Sequence, residues 1–471
     1  MEAVGSRLQR AGQYLAGYRV TEPSKLRGDW QRPVQSSRLD LPNAKRLQIV
    51  GVAREMERND AIVQRFLDLL ELYGVGPGGL TLRAATGDAV WNKEADQVFQ
   101  DWSKYPDLTS RQSFGQLQRL IIREVAVAGE VFVLLTRSSH GRPRVQLIET
   151  HRVRNPSGIL SLPDYLDDGI EMDEVGRPVA YWVQSEDPRS GQARGEFRRI
   201  AAEDMVHIYD PSRVNQRRGL PLFYAVLNDL IDLQELQSLE MRAAKDNARV
   251  TRVKTRSLDT PSDGIGASLR RPASDPDERE VDEENVIGGE QFNLKPGESL
   301  SVLQSNRPSV AVQQFWDYVA ARVAAGGGLP IELILMRSLQ GTMARGAFEM
   351  ANTFFRAWST AMAEPLGLIR EYVLQSEMDR GFLRAGPSDW RAYRFTPPRS
   401  ITVDVGRNSS ALIAEYHAGF RTLEDICGAD GKDWREVLAQ RAAEIAEAKR
   451  IASEHGLTTE DLLQTHTSTT A

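Results

Sequence analysis

FYAVLNDLIDLQELQSLEMRAAKDNARV, from Phe223 to Val250, is the stretch on which the reading of the fold turns. Leu227, Leu230, Ile231, Leu233, Leu236, Leu239 and Ala243 recur at three- to four-residue steps with no internal Gly or Pro. That spacing predicts an amphipathic helix from Phe223 to about Val250. About 26 residues of helix reach roughly 39 Å, which is long for a globular domain. The last turn and the residues after it carry Arg242, Lys245, Arg249, Arg252, Lys254 and Arg256.

Beyond this helix the composition changes. Residues 257–307 are rich in Gly, Pro and Ser and include the acidic passage SDPDEREVDEEN, Ser274 to Asn285, followed by the extended QFNLKPGESLSVLQ. A second helix is expected from Ser309 through Trp316, Val319 and Val323. It should stop where it meets Gly326-Gly327-Gly328-Leu329-Pro330, a run that disfavours helix. The centre of the chain therefore reads as two helices interrupted by a hairpin-like insert and followed by a glycine-rich hinge.

Working outward, the turn RRGLP, Arg217 to Pro221, precedes the long helix. Before it, EVFVLLT, RVQLIET, DGIEMDEVGRPVAYWVQ and RRIAAEDMVHIYD are short strand signals separated by turn residues. Residues 129–210 are expected to form a small, mostly antiparallel β region, because the helices that parallel crossovers need are missing. Helical spacing over Asn43–Tyr73, ending at GVGPGG, and over Thr109–Ala128 precedes it. The first forty residues, punctuated by Pro23, Pro33 and Pro42, read as an extended arm. On the other side, a long helix is expected over Ala344–Arg380, bent at Pro365. Further helices follow over Ala411–Ala418 and Trp434–His455, then a polar tail. The expected fold class is α+β, mainly α.

With 41% hydrophobic and 26% charged residues over 471 positions, the chain has the composition of a folded protein. A formal charge of −6 argues against tight, sequence-independent wrapping of nucleic acid, which depends on many cation–phosphate contacts. No apolar window is long enough to suggest a membrane span. The single cysteine, Cys427, cannot form an intrachain disulfide, and synthesis in a reducing cytoplasm is expected.

Chemistry is not signalled. GADGKDW, Gly428 to Trp434, has the wrong spacing for a phosphate-binding loop and places Asp433 where a hydroxyl is required. The six histidines lack metal-ligand spacing, and no GxSxG elbow occurs. Paired acids such as Asp167-Asp168 or Glu283-Glu284 read as solvated surface. No catalytic residue, cofactor or metal is expected.

Taken in order, several strings resemble the lambda-type family of tailed-bacteriophage portal proteins: SFGQLQRLIIREVAVAGEVFV (Ser113 to Val133), VQLIETHRV, DGIEMDEVGRPVAYWV, EDMVHIYDPSRVNQRRGLPLF (Glu203 to Phe223), LKPGESLSVLQ and GGGLPIELI (Gly326 to Ile334). Their order and spacing carry the likeness. One segment departs from it: after the GLPxELL-like turn this chain has SLQGTMARGAFEM, of which only Ala344-Arg345 keep the family's pattern.

The resemblance implies a portal-type fold assembled as a ring, usually of twelve copies, at one capsid vertex. Double-stranded DNA would pass along its axis, with a separate terminase large subunit supplying ATP hydrolysis and a head-tail connector docking later. Major capsid and scaffold proteins are further implied partners, and the virion is the implied location. By position, residues 1–44 would be an arm, 45–222 and 346–405 the wing, 223–250 and 308–325 the stem helices, 251–307 the clip, 326–345 the tunnel-loop region, 406–456 the crown and 457–471 a polar tail. DNA-facing candidates are Arg242, Lys245, Arg249, Arg337 and Arg345, although Arg337 and Arg345 also suit a structural role. Arg252, Lys254, Asp277, Glu278, Glu283 and Glu284 are candidates for terminase or connector docking, and Gly326, Gly327, Gly328 and Pro330 for the hinge. The cations of 242–254 fit phosphate contacts, salt bridges between subunits, or a merely solvated face. The competing reading of the whole chain is a capsid-associated adaptor or scaffold without a DNA channel.

Overall fold

The computed structural model of the chain describes residues 34–157, 165–187, 189–249, 252–254, 291–293, 310–335, 341–402, 405–429, 432 and 434–458. In chain order the helices are α1 (Ser37–Asp40), α2 (Asn43–Asn59), α3 (Ala61–Leu70), α4 (Ala89–Trp102), α5 (Phe114–Ala128), α6 (Leu227–Arg249), α7 (Val310–Gly327), α8 (Ile331–Ile334), α9 (Gly341–Asp379), α10 (Val405–His417), α11 (Leu423–Ala429) and α12 (Trp434–His455). The strands are β1 (Thr81–Ala84), β2 (Glu130–Arg137), β3 (Pro143–Ile148), β4 (Leu166–Asp167), β5 (Ile170–Met172), β6 (Pro178–Glu186), β7 (Ala193–Ala201), β8 (Met205–Tyr209), β9 (Arg252–Lys254), β10 (Gln291–Asn293) and β11 (Tyr393–Thr396). The described residues are mostly helical with small sheets, antiparallel except for the pair β9 and β10.

Helix starts follow local chemistry. Asp60 caps α3 by accepting from the backbone N–H groups of Ile62 and Val63 at 2.9 and 3.1 Å. Ser113 and Gln116 form a reciprocal capping box at the start of α5. The buried stripes of α3, α4, α5 and α9 then meet in one core, where Phe66, Trp91, Ile121, Ile122, Leu366 and Ile369 are fully buried. Side chains of this size each contribute about 1.5–3 kcal/mol on complete burial. α9 has 39 residues and continues through Pro365.

The β region at residues 129–210 is antiparallel, as expected, and divides into two sheets of order β3-β2-β8 and β4-β5-β6-β7. Phe132 on the central strand β2 faces Ile148 on one side and His207 on the other. Two pairings had no sequence signal. β1 pairs with β11 from Thr81↔Thr396 to Ala84↔Tyr393, fastening the helices to a segment far along the chain. β9 and β10, which bracket the central insert, run parallel from Arg252↔Gln291 to Lys254↔Asn293, whereas a hairpin would pair them antiparallel.

Several helix boundaries differ from expectation: α5 begins at Phe114, α9 at Gly341 and α10 at Val405, and two further differences fall on the central helix pair. α6 begins at Leu227 instead of Phe223. The residues after Pro221 form turns first, with the Tyr224 N–H donating to the Pro221 carbonyl and the Val226 N–H to the Phe223 carbonyl. α7 continues through Gly326 and Gly327. A Cβ at Gly326 would lie 2.5 Å from Val226, and one at Gly327 would lie 2.7 Å from Phe66, so close packing against neighbouring elements retains both glycines inside the helix. The helix ends at Gly328, whose φ of +87° favours glycine.

Candidate functional site

The turn at Arg217–Pro221 is where the β region meets the long helices. α5 ends on Gly129 with φ +86°. A Cβ there would lie 2.4 Å from the Leu220 backbone, and one on Gly219 would lie 1.9 Å from the Gly129 carbonyl oxygen, so the two backbones touch and neither residue can carry a side chain. The Leu222 N–H donates to the Ala126 carbonyl at 2.8 Å, satisfying one of the carbonyls left open at the end of α5.

Glu130 follows Gly129 and lies fully buried beneath the turn. Its Oε1 accepts from Arg218 Nη2 at 2.6 Å, from Arg46 Nη1 at 3.1 Å and from the Thr150 hydroxyl. Its Oε2 accepts from the Gly219 N–H at 2.9 Å and lies 2.9 Å from His207 Nε2. Arg46 Nε reaches Asp168 at 2.9 Å, and Arg218 Nη1 also donates to the carbonyls of Val153 and Asp168. Two guanidinium groups thus balance two carboxylates in the interior, as buried charges require. Burial alone would raise the Glu130 pKa, but Arg218, His207 and Arg46 outweigh it and hold the carboxyl well below its usual range. Burial lowers the His207 pKa against the opposing pull of Glu130, which favours the neutral ring. That ring stacks between Phe132 and Tyr209 at 4.2 and 4.4 Å.

The network ties α2, β2, the Thr150 turn, the Asp168 turn, β8 and the Arg218 turn to one carboxylate. Asp168 is therefore a correction: the acid read as solvated surface is buried and paired with Arg46 and Arg218. Asp167 is partly buried as well, its side chain 17% exposed, and pairs with Arg38 and Arg217. Two signals in the sequence could have located the network: a glutamate opening an apolar strand, and an Arg-Gly in the turn before the long helix.

From this root the two long helices extend as a pair. Val226 packs on Gly326, and Asp229 pairs with Arg322 at 3.1 Å, so α6 and α7 run in opposite directions. Leu230, Leu233, Val319, Ala320 and Val323 are buried near the root. Further out, Leu239 and Met241 of α6 and Phe315 and Tyr318 of α7 are each more than half exposed, between 51% and 60%. Gln234 donates to the Asp60 carboxylate at 3.0 Å, fastening α6 to the cap of α3.

Arg242 and Lys245 are exposed on the outer half of α6. Arg249 lies in its last turn, and Arg252 and Lys254 are backbone positions of β9. Arg345 is exposed in the second turn of α9, while Arg337, Asp277, Glu278, Glu283 and Glu284 lie outside the described residues. Gly326, Gly327 and Gly328 close α7 at the root, and Pro330 precedes α8. Among the described residues no three side chains are grouped to hold a metal ion, and no helix is long and apolar enough to cross a membrane.

Residues 24–345, which contain the network, both long helices and the insert between them, match the family model "Phage portal protein, lambda family". The chain belongs to that family. Among its relatives is the "Probable portal protein" of Halomonas phage phiHAP-1, 27% identical over 425 residues, which cover 85% of this chain and 80% of that one. "Portal protein B" of Escherichia phage lambda is 21% identical over 385 residues, covering 73% of this chain and 70% of the relative. Among solved structures, the chain resembles one from the virion of a native gene transfer agent particle, with TM-score 0.49, 14% identity and coverage of 80% of this chain and 91% of the other. A chain from the neck of the native particle gives TM-score 0.47 at 15% identity, covering 85% and 96%. Family membership assigns the Glu130 network a place: it lies within the matched portal sequence, at the root of the helix pair.

Proposed function

We propose that copies of this chain, usually twelve, close into a ring at one capsid vertex. Double-stranded DNA passes along the axis during packaging and ejection. The ring docks a terminase large subunit, then a head-tail connector, and contacts major capsid and scaffold proteins. Its contribution is shape and surface, with ATP hydrolysis left to the terminase. The observation that carries this reading is the family match over residues 24–345.

The antiparallel pair α6 and α7 suits a stem, and the insert bracketed by β9 and β10 suits the clip that meets the motor. The exposed apolar side chains on the outer half of the pair, Leu239, Met241, Phe315 and Tyr318, favour contact with neighbouring copies. Arg242, Lys245 and Arg249 then stand along the stem, with Arg345 near the tunnel side. A net charge of −6 suits a channel in which DNA must slide, because many phosphate-binding cations would arrest it.

End-on microscopy and native mass spectrometry of the assembled protein test the reading. The expected particle is an annulus with an open centre. A strictly monomeric or dimeric particle under assembly conditions, or a closed centre, overturns it in favour of an adaptor without a channel.

A further inference from the structure

Arg370, in the second half of α9, is fully buried, and its Nε, Nη1 and Nη2 donate to no described residue. A guanidinium taken out of water needs a carboxylate or several carbonyls around it, so an unserved one marks an unfinished arrangement. Two carboxylates lie close enough to act on its charge. Glu371 is engaged by Arg391 at 3.3 Å. Asp96 of α4 is the other: its Oδ1 accepts from the Ala84 N–H at 2.8 Å, while its Oδ2 stands 4.0 Å from Arg83 Nη1. Burial raises the Asp96 pKa and lowers that of Arg370, and the attraction between the two groups partly offsets both shifts. A buried acid and a buried base thus lie near each other without meeting.

The elements that carry the two groups are fastened differently. α9 is held on both sides of Arg370, because the Ser359 hydroxyl donates to the Gly74 carbonyl and the Tyr372 hydroxyl to the Thr136 carbonyl. α4 is tied through Asp96 and Ala84 to the β1–β11 ribbon, and the ribbon meets α9 at a glycine. A Cβ on Gly367 would lie 2.3 Å from the Tyr393 hydroxyl oxygen, and that hydroxyl donates to the Ala363 carbonyl at 3.0 Å. Pro365, between them, has no N–H to commit to the helix ladder. The ribbon also carries the C-terminal helices. Arg394 of β11 pairs with Glu424 of α11 at 3.3 Å, and a Cβ on Gly428 would lie 2.7 Å from Thr396.

We propose that α4 and the β1–β11 ribbon slide as one unit along α9 between two positions: the one described, with Tyr393 seated on Ala363 and Arg370 alone, and a second in which Asp96 meets Arg370. Shear of packed helices by about 1–2 Å is the ordinary scale of such a motion. Because α11 rides on the ribbon, the slide transmits a change at α9 to the C-terminal helices. The device lies in the interior of one chain and operates whether or not copies close into a ring.

Hydrogen exchange of the full chain, read by mass spectrometry, tests this. Arg370→Met keeps most of the side-chain volume, removes the lone charge and abolishes the second position. Its thermal midpoint should hold or rise, and exchange in β11 and α11 should slow about threefold or more. Asp96→Asn, which keeps an oxygen for the Ala84 N–H, should slow the same exchange. Tyr393→Phe removes the seat on Ala363 and should speed it, and adding Arg370→Met should return it to the slow rate. Exchange unchanged by Arg370→Met and Asp96→Asn, or a Tyr393→Phe effect that Arg370→Met leaves intact, overturns the proposal. So does a fall in the Arg370→Met midpoint as large as the loss of a buried ion pair, since it would show the guanidinium already partnered in the described position.

Discussion

Arg218 and Arg242 belong to one continuous stretch of chain and meet opposite fates. Arg218 is fully surrounded: Glu130, the carbonyls of Thr150, Val153 and Asp168, and the face of Phe132 occupy its guanidinium. Arg242 stands exposed on the outer half of α6. The first charge builds the protein, because removing a partner strands its counter-charges in the interior. The second is free to meet something outside. A sequence gives both as arginine; burial and partners separate the two roles.

The largest expected effect comes from breaking the root. Glu130→Gln leaves Arg46 and Arg218 sharing only Asp168, and loss of one partner from a buried ionic cluster costs about 3–5 kcal/mol. Chemical denaturation of the purified protein should show this as a lower midpoint with little change in slope. A change below about 1 kcal/mol would mean that water reaches the site and that the contrast with Arg242 is weaker than the geometry indicates.

A smaller loss is expected where the helix pair closes. Gly326→Val places branched carbon against Val226, and overpacking of this kind costs about 1–3 kcal/mol. Gly346→Val in α9, where a Cβ meets nothing within 4 Å, should be far milder. Equal effects on thermal midpoint at the two sites would show that glycine at 326 is not held by close packing.

The next test uses pH. Burial depresses the His207 pKa in the folded protein, so the unfolded chain, with a histidine pKa near 6.5, takes up a proton first as pH falls. The contribution is therefore full above about pH 6.5 and is lost as pH drops toward the depressed folded value. His151 has the opposite sign, since its bond to Glu149, working against burial, raises its pKa; its contribution is full below about pH 6.5 and fades as pH rises through the raised value. His207→Gln keeps a donor toward Glu130 but removes the titration, so its thermal midpoint should fall less than that of the wild type between pH 7 and 5. His151→Gln should make the same decline steeper. Curves unaffected by either variant would remove the histidines from the comparison.

Long-period features were the legible ones. α9, α12 and the outer course of α6 and α7 follow from apolar spacing, and the antiparallel β region follows from turn residues and the absence of crossover helices. Pairings between distant segments were not legible: Thr81↔Thr396 has no local trace, because a two-strand contact is set by which surfaces the helical core brings together. The root network was hidden for a related reason. Asp168 looks like half of a common acidic pair, and only the placement of Arg46, from a helix far upstream, turns it into a buried partner. Gly326 and Gly327 show a third kind of blindness, since propensity disfavours them in a helix while contact with Val226 and Phe66 requires them there.

The smallest effect on stability should accompany the most selective effect on function. Arg242→Ala combined with Lys245→Ala removes two exposed cations from α6 without touching the buried face near Leu230 and Leu233, so the thermal midpoint and ring formation should be unchanged. If the two side chains meet phosphates in the channel, retention of packaged DNA should fall and its dependence on log salt should flatten by about one unit per lost contact. The pair Arg111→Ala and Arg198→Ala, exposed elsewhere on the molecule, serves as the charge-matched control. Equal retention in both double variants would place Arg242 and Lys245 on a merely solvated face. A loss confined to the α6 pair would establish that the outer half of the helix works through its charge, while the root works by having none to spare.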